Sequence, residues 1–291
     1  MINPTSISGQ RDIPGEWKQL NPNFILCPGV GDENKKDKIA HLGEVYSISP
    51  NGYNIDLLKQ YKCVVTWNSK FYEAHKNELN IHLVKDFCLC HDMYREDIVL
   101  DSYKSYEEKI NGICVVSNLK TFFDCNEGAI GYKRLQIMNG IQSLVKHVYG
   151  GLNCGEMYKG ILGQRDPDHQ YVNLHKYGYD KISKVNEYRF SLVCENSYHE
   201  FWSWDYITEK IWDVFSAKTV AVYYGCYNIE QRIPKELYID YRDFSNDAEL
   251  SDYLINFPRD RYIEMTEKAY DFYKQNEPTF LKELKELATN L

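Results

Sequence analysis

Residues 188–197 read YRFSLVCENS, residues 205–210 read DYITEK and residues 221–225 read AVYYG. The first and third blocks contain short apolar runs of the kind that form buried parallel strands. The middle block opens an amphipathic segment, and its spacing predicts a helix over Thr208–Ala217. A strand, a helix and a second strand in this order make a βαβ unit. These three blocks therefore predict an α/β fold.

The same alternation of short apolar runs and charge-rich segments extends along the chain. The runs that we interpret as strands are Phe24–Cys27, Cys63–Trp67, Ile113–Ser117, His147–Gly150, Phe190–Cys194 and Thr219–Tyr224. A further helix is predicted over Gly131–Val145, where apolar residues recur every three to four positions. We therefore expect βαβ units and mostly parallel sheets.

Two segments interrupt this pattern. Residues 95–109 are polar and have few large apolar side chains, so we place a domain boundary at Lys109. Gly151–Ser183 lacks periodicity and is interpreted as a long loop or insertion. The boundary divides the chain into residues 1–109 and residues 110–291.

The C-terminal tail has an amphipathic pattern. Four leucines follow helical spacing there: Leu281, Leu284, Leu287 and Leu291. Such a stripe favours packing against a protein core, and contact with a membrane surface is the alternative.

Composition excludes several classes of function. The net charge is −8, and because a nucleic-acid partner requires a basic surface, we expect none. No stretch approaches the roughly 20 apolar residues of a membrane span, and residues 1–17 do not resemble a signal peptide. We expect a cytoplasmic location, with the inner face of a membrane as an alternative site for the terminal helix. The nine cysteines show no disulfide framework, so we expect reduced and mostly buried thiols.

The start of the predicted helix has features of an anion site. Asp205 is the predicted N-cap. Four side chains share one helical face at spacings of three or four residues: Tyr206, Glu209, Lys210 and Asp213. The exposed backbone N–H groups, the helix dipole and Lys210 suit a pyrophosphate, and Glu209 can accept hydrogen bonds from ribose or sugar hydroxyls. A solvated Glu–Lys pair at a helix start is the alternative interpretation.

Together, the three blocks resemble the signature of the α1,3/4-fucosyltransferase family in both order and spacing. The resemblance continues through Ile233-Pro234 and Asp243-Phe244, and more weakly over most of the chain from Ile113 onward. The loop Tyr198–Trp204 departs from the family pattern because it is longer and rich in aromatic residues. The resemblance therefore leaves the fit of sugar and acceptor open at this loop.

The resemblance implies a GT-B fold, in which two Rossmann-like domains face each other across a cleft. Residues 1–109 would form the acceptor-side domain and residues 110–291 the domain that binds a GDP-sugar, with the terminal helix packing back on the first. The implied activity is inverting transfer of L-fucose from GDP-fucose to a GlcNAc- or glucose-containing glycan, through an α1,3 or α1,4 linkage. Protein glycosylation or polysaccharide biosynthesis is the implied process, and no cofactor or metal ion is expected.

The resemblance also assigns donor contacts. Asn196, Tyr206, Glu209 and Lys210 match the family positions that contact the GDP-sugar, with Lys210 on the diphosphate and Glu209 on the ribose. A further cation would come from Lys133 or Arg134, and we favour Arg134 because its planar guanidinium binds phosphate through two donors. The alternative is that both side chains are solvated cations at the start of a helix and do not bind the donor.

The reaction needs a base from the other domain. An oxocarbenium-like transition state requires stabilisation of the departing diphosphate and removal of a proton from the acceptor hydroxyl. Lys210 and Arg134 would stabilise the diphosphate. Leu42-Gly43-Glu44 resembles the family's Gly-Glu loop, so Glu44 is the candidate base, while an ordinary exposed loop carboxylate is the alternative. The competing candidates are Glu33, Glu73, His91 and Asp92.

Two metal-site patterns are weak. Asp166-Pro167-Asp168 has the Asp-x-Asp form that grips divalent ions, but two matching residues in an acidic chain carry little information. Cys88-Leu89-Cys90-His91 lacks the spacing of a zinc site, and buried thiols explain it better. Two alternative functions remain: transfer of another GDP- or deoxy-sugar, and a non-catalytic glycan- or nucleotide-binding module.

Overall fold

The computed structural model of the chain describes residues 35–84, 100–116, 127–131, 133–149 and 181–276, the backbone of residues 24–26, 179 and 180, and residues 283, 286 and 287. The described strands are β1 (Phe24–Leu26), β2 (Ile39–His41), β3 (Cys63–Thr66), β4 (Ile81–Leu83), β5 (Ile110–Val116), β6 (Val145–Tyr149), β7 (Tyr188–Cys194), β8 (Val220–Tyr224) and β9 (Ile239–Asp240). The α-helices are α1 (Ile55–Leu58), α2 (Ser69–His75), α3 (Lys133–Gly140), α4 (Tyr179–Asn186), α5 (Glu209–Ser216), α6 (Asp247–Ile255) and α7 (Arg259–Gln275).

The described strands form two parallel sheets. The first has the order β1-β2-β3-β4 and the second the order β6-β5-β7-β8-β9. Every pairing between neighbouring strands is parallel. This arrangement confirms the predicted α/β fold with βαβ units. In the second sheet, β6 and β7 lie on opposite sides of β5, so the strand order reverses at β5 and opens a crevice at the carboxyl ends of β5 and β7.

The second sheet is buried on both faces. One apolar cluster combines the sheet with α4 and α5, and the other combines it with α3 and α6, while α7 contributes to both. Strand β7 explains this layering, because Val193 belongs to the first cluster whereas Phe190 and Leu192 belong to the second. The result is a helix–sheet–helix sandwich, as expected for a fully buried parallel sheet.

The predicted helix over Gly131–Val145 is wrong in its second half. Helix α3 ends at Gly140, Ser143 has a φ of 60°, and Val145 already belongs to β6. A Cβ on Gly140 would lie 2.0 Å from an Asp247 carboxylate oxygen, so the glycine lets the end of α3 approach α6 closely. The apolar spacing persists past the helix because Ile141 and Leu144 are still buried in the core.

The predicted insertion Gly151–Ser183 is also wrong at its end, since α4 begins at Tyr179. The rest of that segment lies outside the described residues. The predicted boundary at Lys109 falls between β4, which ends at Leu83, and β5, which begins at Ile110.

Lys109 itself is buried at the start of the second sheet. Its ammonium donates to the Asn186 carbonyl at 2.6 Å and to the Thr219 hydroxyl at 3.2 Å, and burial lowers its pKa to about 7. The described part of the polar segment therefore packs with the second sheet.

Four cysteines lie within the described residues, and all four are buried free thiols: Cys63, Cys114, Cys194 and Cys226. Burial raises the pKa of each, so these thiols stay protonated. No helix in the described part of the chain is both long and apolar enough to cross a membrane.

Candidate active site

The candidate site lies where the carboxyl ends of the two sheets meet. Asn196 follows β7 at the crevice of the second sheet, and Glu44 follows β2 of the first sheet. A hydrogen bond joins the two sides, because the Tyr206 hydroxyl lies 3.3 Å from Glu44 Oε2. The six residues predicted for the site approach one another in this region: Glu44, Arg134, Asn196, Tyr206, Glu209 and Lys210.

The start of helix α5 differs from the prediction. Thr208, not Asp205, is the N-cap, and its hydroxyl accepts from the Lys210 N–H at 3.4 Å. Asp205 instead has a left-handed backbone with a φ of 62°, and its carboxylate accepts from the hydroxyl of Ser69, the first residue of α2, at 2.6 Å. Tyr206 precedes the helix, so it does not share the helical face of Glu209 and Lys210. The sequence pattern missed this because two N-cap residues lie three positions apart in the same block.

Lys210 is held by a buried carboxylate that the sequence analysis did not assign. Its ammonium donates to Glu195 Oε2 at 3.0 Å and to the Thr208 hydroxyl at 2.8 Å, while Glu209 Oε1 lies 3.8 Å away. Burial alone would lower the pKa of Lys210, but the carboxylates of Glu195 and Glu209 outweigh this and raise it above the ordinary value. The lysine is therefore a fixed positive charge. The third N–H of the ammonium is oriented by the first two and can donate to a ligand.

Glu195 has no exposed surface and is fully hydrogen-bonded. Besides Lys210, its carboxylate accepts from the Thr208 N–H at 3.0 Å and from the Thr208 hydroxyl at 2.7 Å. A buried carboxylate is stable only when it is paired in this way. The position of Glu195 in the sequence indicates this role. It lies in the first quoted block, directly after the strand, and the helix that follows carries Lys210.

Arg134 supplies a second buried cation near Lys210. It lies on α3, is 3% exposed, and donates to the Cys194 carbonyl at 3.0 Å, the Glu195 carbonyl at 2.9 Å and the Asn196 side-chain oxygen at 2.8 Å. The guanidinium therefore lies across the end of β7. The rival candidate Lys133 lies 5.2 Å from the ring centre of Tyr241, so it faces a different part of the molecule.

Glu44 lies in a loop held at three points. Trp67 Nε1 donates to the Leu42 carbonyl at 2.7 Å, the Tyr53 hydroxyl donates to the Glu44 carbonyl at 2.7 Å, and the Tyr206 hydroxyl contacts the Glu44 carboxylate. The carboxylate is half-buried, and its loop is fixed against the second sheet. The carboxylate thus lies beside Tyr206, whose hydroxyl also accepts from Asn196 on the donor side.

Of the competing candidate bases, only Glu73 lies within the described residues, and it is not held near the donor side as Glu44 is. Glu73 lies on α2 and pairs with Lys76 in an exposed position. His41, which ends β2 and was not among the predicted bases, is buried, and burial lowers its pKa to about 3, so it remains neutral. Three further candidates lie outside the described residues: Glu33, His91 and Asp92.

The aromatic loop Tyr198–Trp204 packs against protein on both sides. Trp202 stacks on Tyr46 of the first sheet with ring centres 4.3 Å apart, and its indole N–H donates to Glu127 at 3.1 Å. The Lys70 ammonium lies 3.9 Å from the ring centre of Trp204. The extra aromatic residues of this loop thus join the two sheets.

A second buried ion pair lies beside Lys210. Lys181 of α4 pairs with Asp213 of α5, and both line a small cavity that also touches Lys210 and Ser191 of β7. Burial raises the pKa of Asp213 despite the neighbouring ammonium. The sequence predicted that Asp213 lies on the face of Glu209, but it gave no sign of Lys181.

Within the described residues, no three His, Cys, Asp or Glu side chains are grouped so that they could hold a metal ion. Asp166 and Asp168 lie outside the described residues, as do Cys88, Cys90 and His91.

Residues 115–281, more than half of the chain, match the family model described as "Glycosyltransferase family 10 (fucosyltransferase) C-term". Among curated relatives, a mouse (Mus musculus) 4-galactosyl-N-acetylglucosaminide 3-alpha-L-fucosyltransferase 9 is 36% identical over 94 residues, which cover 28% of this chain and 25% of that protein. The alpha-(1,3)-fucosyltransferase FucT of Helicobacter pylori is 27% identical over 96 residues, covering 32% of this chain and 18% of that protein. The matched region thus spans about a quarter or less of these relatives' length.

Solved structures share the fold. An alpha1,3-fucosyltransferase with GDP has a TM-score of 0.51 and 15% identity, covering 88% of this chain and 78% of its own. The Anabaena protein Alr3699/HepE, solved with UDP and glucose, has a TM-score of 0.54 and 9% identity, covering 88% of this chain and 72% of its own. At these identities the likeness extends to the fold alone, and it identifies the two facing sheets as a GT-B fold.

Proposed function

Because the chain belongs to glycosyltransferase family 10, the fucosyltransferase family, we propose that it transfers L-fucose from GDP-fucose to a glycan hydroxyl. The linkage would be α1,3 or α1,4, with inversion at the sugar carbon, and the acceptor would contain GlcNAc or glucose. The mouse relative is named for transfer to a galactosyl-N-acetylglucosaminide, which supports this acceptor class. The observation that carries the proposal is the pair of oriented cations, Arg134 and Lys210, with Arg134 joined through Asn196 and Tyr206 to the Glu44 carboxylate.

In this reaction the leaving diphosphate gains negative charge as its bond to the sugar carbon breaks. Lys210 and Arg134 would stabilise that charge from fixed positions, so no reorganisation is needed during the reaction. Their hydrogen bonds to Glu195 and Asn196 supply the orientation. Protein cations thereby take the part that a divalent metal ion plays in other transferases, and we propose that none is required.

The base acts on the opposite face of the sugar. Glu44 would accept the proton of the acceptor hydroxyl as that oxygen forms its bond to the sugar carbon, while GDP departs with the bonding electron pair. Displacement from the side opposite the leaving group inverts the configuration. Glu209, next to Lys210 on α5, would accept hydrogen bonds from the ribose hydroxyls, and Asn196 would contact the donor beside Arg134.

The first test is a measurement of melting temperature, since it needs no acceptor. The protein is melted alone and with millimolar GDP, GDP-fucose, GDP-mannose, UDP or UDP-glucose. A ligand present at 100 times its Kd stabilises the folded state by about 2.7 kcal/mol. We expect GDP and GDP-fucose to raise the melting temperature and the UDP compounds to leave it unchanged. A rise with UDP compounds alone would refute the donor assignment, and no rise with any nucleotide would refute the donor site.

Mass spectrometry then identifies the transferred sugar. GDP-fucose and GDP-mannose are each incubated with GlcNAc- and glucose-containing oligosaccharides. We expect a product heavier by one deoxyhexose from GDP-fucose. A hexose adduct from GDP-mannose in place of that product would assign the protein to another GDP-sugar.

A further inference from the structure

On the basis of the proposed function, we infer that Tyr206 is a positioning residue for the base: its hydroxyl group holds the Glu44 carboxylate and links it to the donor-side pair Asn196 and Arg134. This role is separate from the donor contact that the family resemblance implies for Tyr206. The link would set the base in place relative to the cations that receive the leaving group.

Three hydrogen bonds make up the link. Arg134 donates to the Asn196 side-chain oxygen at 2.8 Å, and the Asn196 side-chain nitrogen donates to the Tyr206 hydroxyl at 3.4 Å. The Tyr206 hydroxyl donates in turn to Glu44 Oε2 at 3.3 Å. All three hydrogen bonds are donated in the same direction, from the Arg134 cation toward the Glu44 carboxylate. Hydrogen bonds aligned in this way polarise one another.

The tyrosine ring is fixed by the first sheet although its backbone precedes α5 of the second. Tyr206 is 1% exposed and belongs to the apolar cluster of β2 and β3, with its ring centre 5.1 Å from that of Trp67. The same indole donates to the Leu42 carbonyl at the base of the Glu44 loop. One tryptophan thus supports both the tyrosine and the loop that carries the carboxylate.

The hydroxyl keeps its proton over the whole working range. Burial raises the pKa of Tyr206 well above its ordinary value, and the carboxylates of Glu44, Glu195 and Glu209 raise it further. On the donor side, Tyr206 is joined through Asn196 to Arg134. Because the hydroxyl does not ionise, it remains a donor to Glu44 at any pH at which the protein is assayed.

A hydrogen bond to an ionised carboxylate favours the ionised form. Removing the Tyr206 hydroxyl should therefore make Glu44 take up its proton at a higher pH. Activity that requires ionised Glu44 would then be lost at a higher pH in the variant than in the parent. The two cations and the other two carboxylates are the same in the parent and in the variant, so they do not cause the difference.

The test compares Tyr206→Phe with Tyr53→Phe. Each variant removes one tyrosine hydroxyl that donates a hydrogen bond to Glu44. The Tyr206 hydroxyl donates to the carboxylate, whereas the Tyr53 hydroxyl donates to the backbone carbonyl. For Tyr206→Phe we expect the acidic limb of the kcat/KM profile to move up by about one pH unit, with a lower kcat. For Tyr53→Phe we expect the limb to stay in place.

A second readout does not depend on turnover. The Glu44 carboxyl carbon is titrated by ¹³C NMR in the parent and in Tyr206→Phe, with the resonance assigned by its absence in Glu44→Gln. We expect its titration midpoint to rise in Tyr206→Phe. An unchanged midpoint, in a protein that still binds GDP, would overturn the inference.

The two proposals fail in different ways. If the parent transfers fucose but neither the limb nor the midpoint moves, the positioning role is wrong and the proposed function stands. If the midpoint moves but the parent transfers no sugar, the positioning role stands and the reaction is wrong. Should Tyr206→Phe not fold, 3-fluorotyrosine at position 206 keeps the ring and offers a more acidic hydroxyl. The midpoint must then move to lower pH, and no movement would overturn the inference.

Discussion

At the scale of single residues, Lys210 and Glu44 have different surroundings that suit the different tasks proposed for them. Lys210 is 17% exposed and lies between carboxylates that keep it charged, whereas Glu44 lies on a loop of the other sheet. A cation that receives a diphosphate must be fixed and permanently charged. A base must reach a hydroxyl group on the acceptor side of the cleft.

This separation predicts different kinetic losses for two variants. Lys210→Ala should weaken GDP binding by more than tenfold and lower turnover as well, because in the proposed reaction the ammonium would contact the diphosphate in both the ground state and the transition state. Glu44→Gln should leave the GDP Kd within about twofold and lower kcat by two or more orders of magnitude, as expected for loss of a general base. Calorimetric titration with GDP and steady-state kinetics separate the two effects. A Glu44→Gln variant with parental turnover would eliminate Glu44 as the base.

Gly225 shows why the third block ends in glycine. A Cβ at this position would lie 2.3 Å from Cγ and 2.4 Å from Cβ of Glu195, so the buried carboxylate occupies the space of a side chain. The Glu195 side chain cannot move away without breaking its hydrogen bonds to Thr208 and Lys210. The glycine therefore acts on the donor site through Glu195.

We predict that Gly225→Ala displaces Glu195, destabilises the fold by about 1–3 kcal/mol and weakens GDP binding about tenfold. Gly140→Ala is the matched control, since its Cβ would clash with Asp247 at 2.0 Å, at the opposite end of α3 from Arg134. The control should lower stability in urea denaturation and keep the parental GDP affinity. Equal GDP affinities for the two folded variants would contradict the link between Gly225 and Lys210.

Sequence reasoning found the site residues that carry a recognisable pattern and missed those that only hold them. Arg134 contacts Asn196, and Lys210 contacts the adjacent Glu195, in the region that the family resemblance assigned to the donor. Glu195 stood in the quoted block but received no role, because a glutamate in a sequence is usually exposed. Lys181 could not be found at all, since its partner Asp213 lies on a different helix.

At the scale of elements, the segment from Tyr198 to Tyr206 joins the two sheets. Asn68 donates to the Phe201 carbonyl at 2.8 Å, and Lys70 donates to the Glu200 carbonyl at 2.9 Å. These residues cap and begin α2, so the segment binds the N-terminus of that helix. Asp205 completes the junction through Ser69, and its left-handed backbone turns the chain toward the first sheet.

Asp205 should therefore contribute to stability through both its backbone and its carboxylate. Asp205→Ala loses the Ser69 and Asn228 hydrogen bonds and places alanine at a φ of 62°, and we expect a cost of about 2–4 kcal/mol. Asp205→Asn tolerates the left-handed conformation and retains one acceptor, so its cost should be about half as large. Urea denaturation of both variants measures the difference. Equal costs would show that neither the backbone conformation nor the retained acceptor matters here.

The elements that sequence reasoning located are those with a recognisable apolar run. Six of them were predicted to within two residues at each end, namely β1, β3, β6, β7, β8 and α5, whereas β5 begins three residues before its predicted start. Strands β2, β4 and β9 have only two or three residues each, which is too short to show a period. Their pairing depends on neighbouring strands, which the sequence does not display.

At the scale of the whole molecule, residues from the second half of the chain form part of the hydrophobic core of the first sheet. Tyr206 belongs to the buried cluster of β2 and β3, and Leu287 packs against that cluster. Phe201 and Trp202 pack against the other cluster of the same sheet. The hydrophobic core of the N-terminal half is therefore incomplete without residues that lie beyond the predicted boundary at Lys109.

We therefore predict that residues 1–109 do not fold stably alone, although they hold a complete parallel sheet. Removing a buried aromatic side chain costs about 3–5 kcal/mol from a total stability of about 5–15 kcal/mol, and the fragment would lose the buried Tyr206 together with the partly buried Phe201 and Trp202. Circular dichroism should show a broad, non-cooperative melt for the fragment and one cooperative transition for the full chain. Addition of residues 110–291 should restore cooperativity to the fragment, because it returns Tyr206, Phe201 and Trp202. A cooperative melt of residues 1–109 alone at the parental temperature would mean that the two sheets are independent, and the donor and base sides of the site would then be joined only by the ligand.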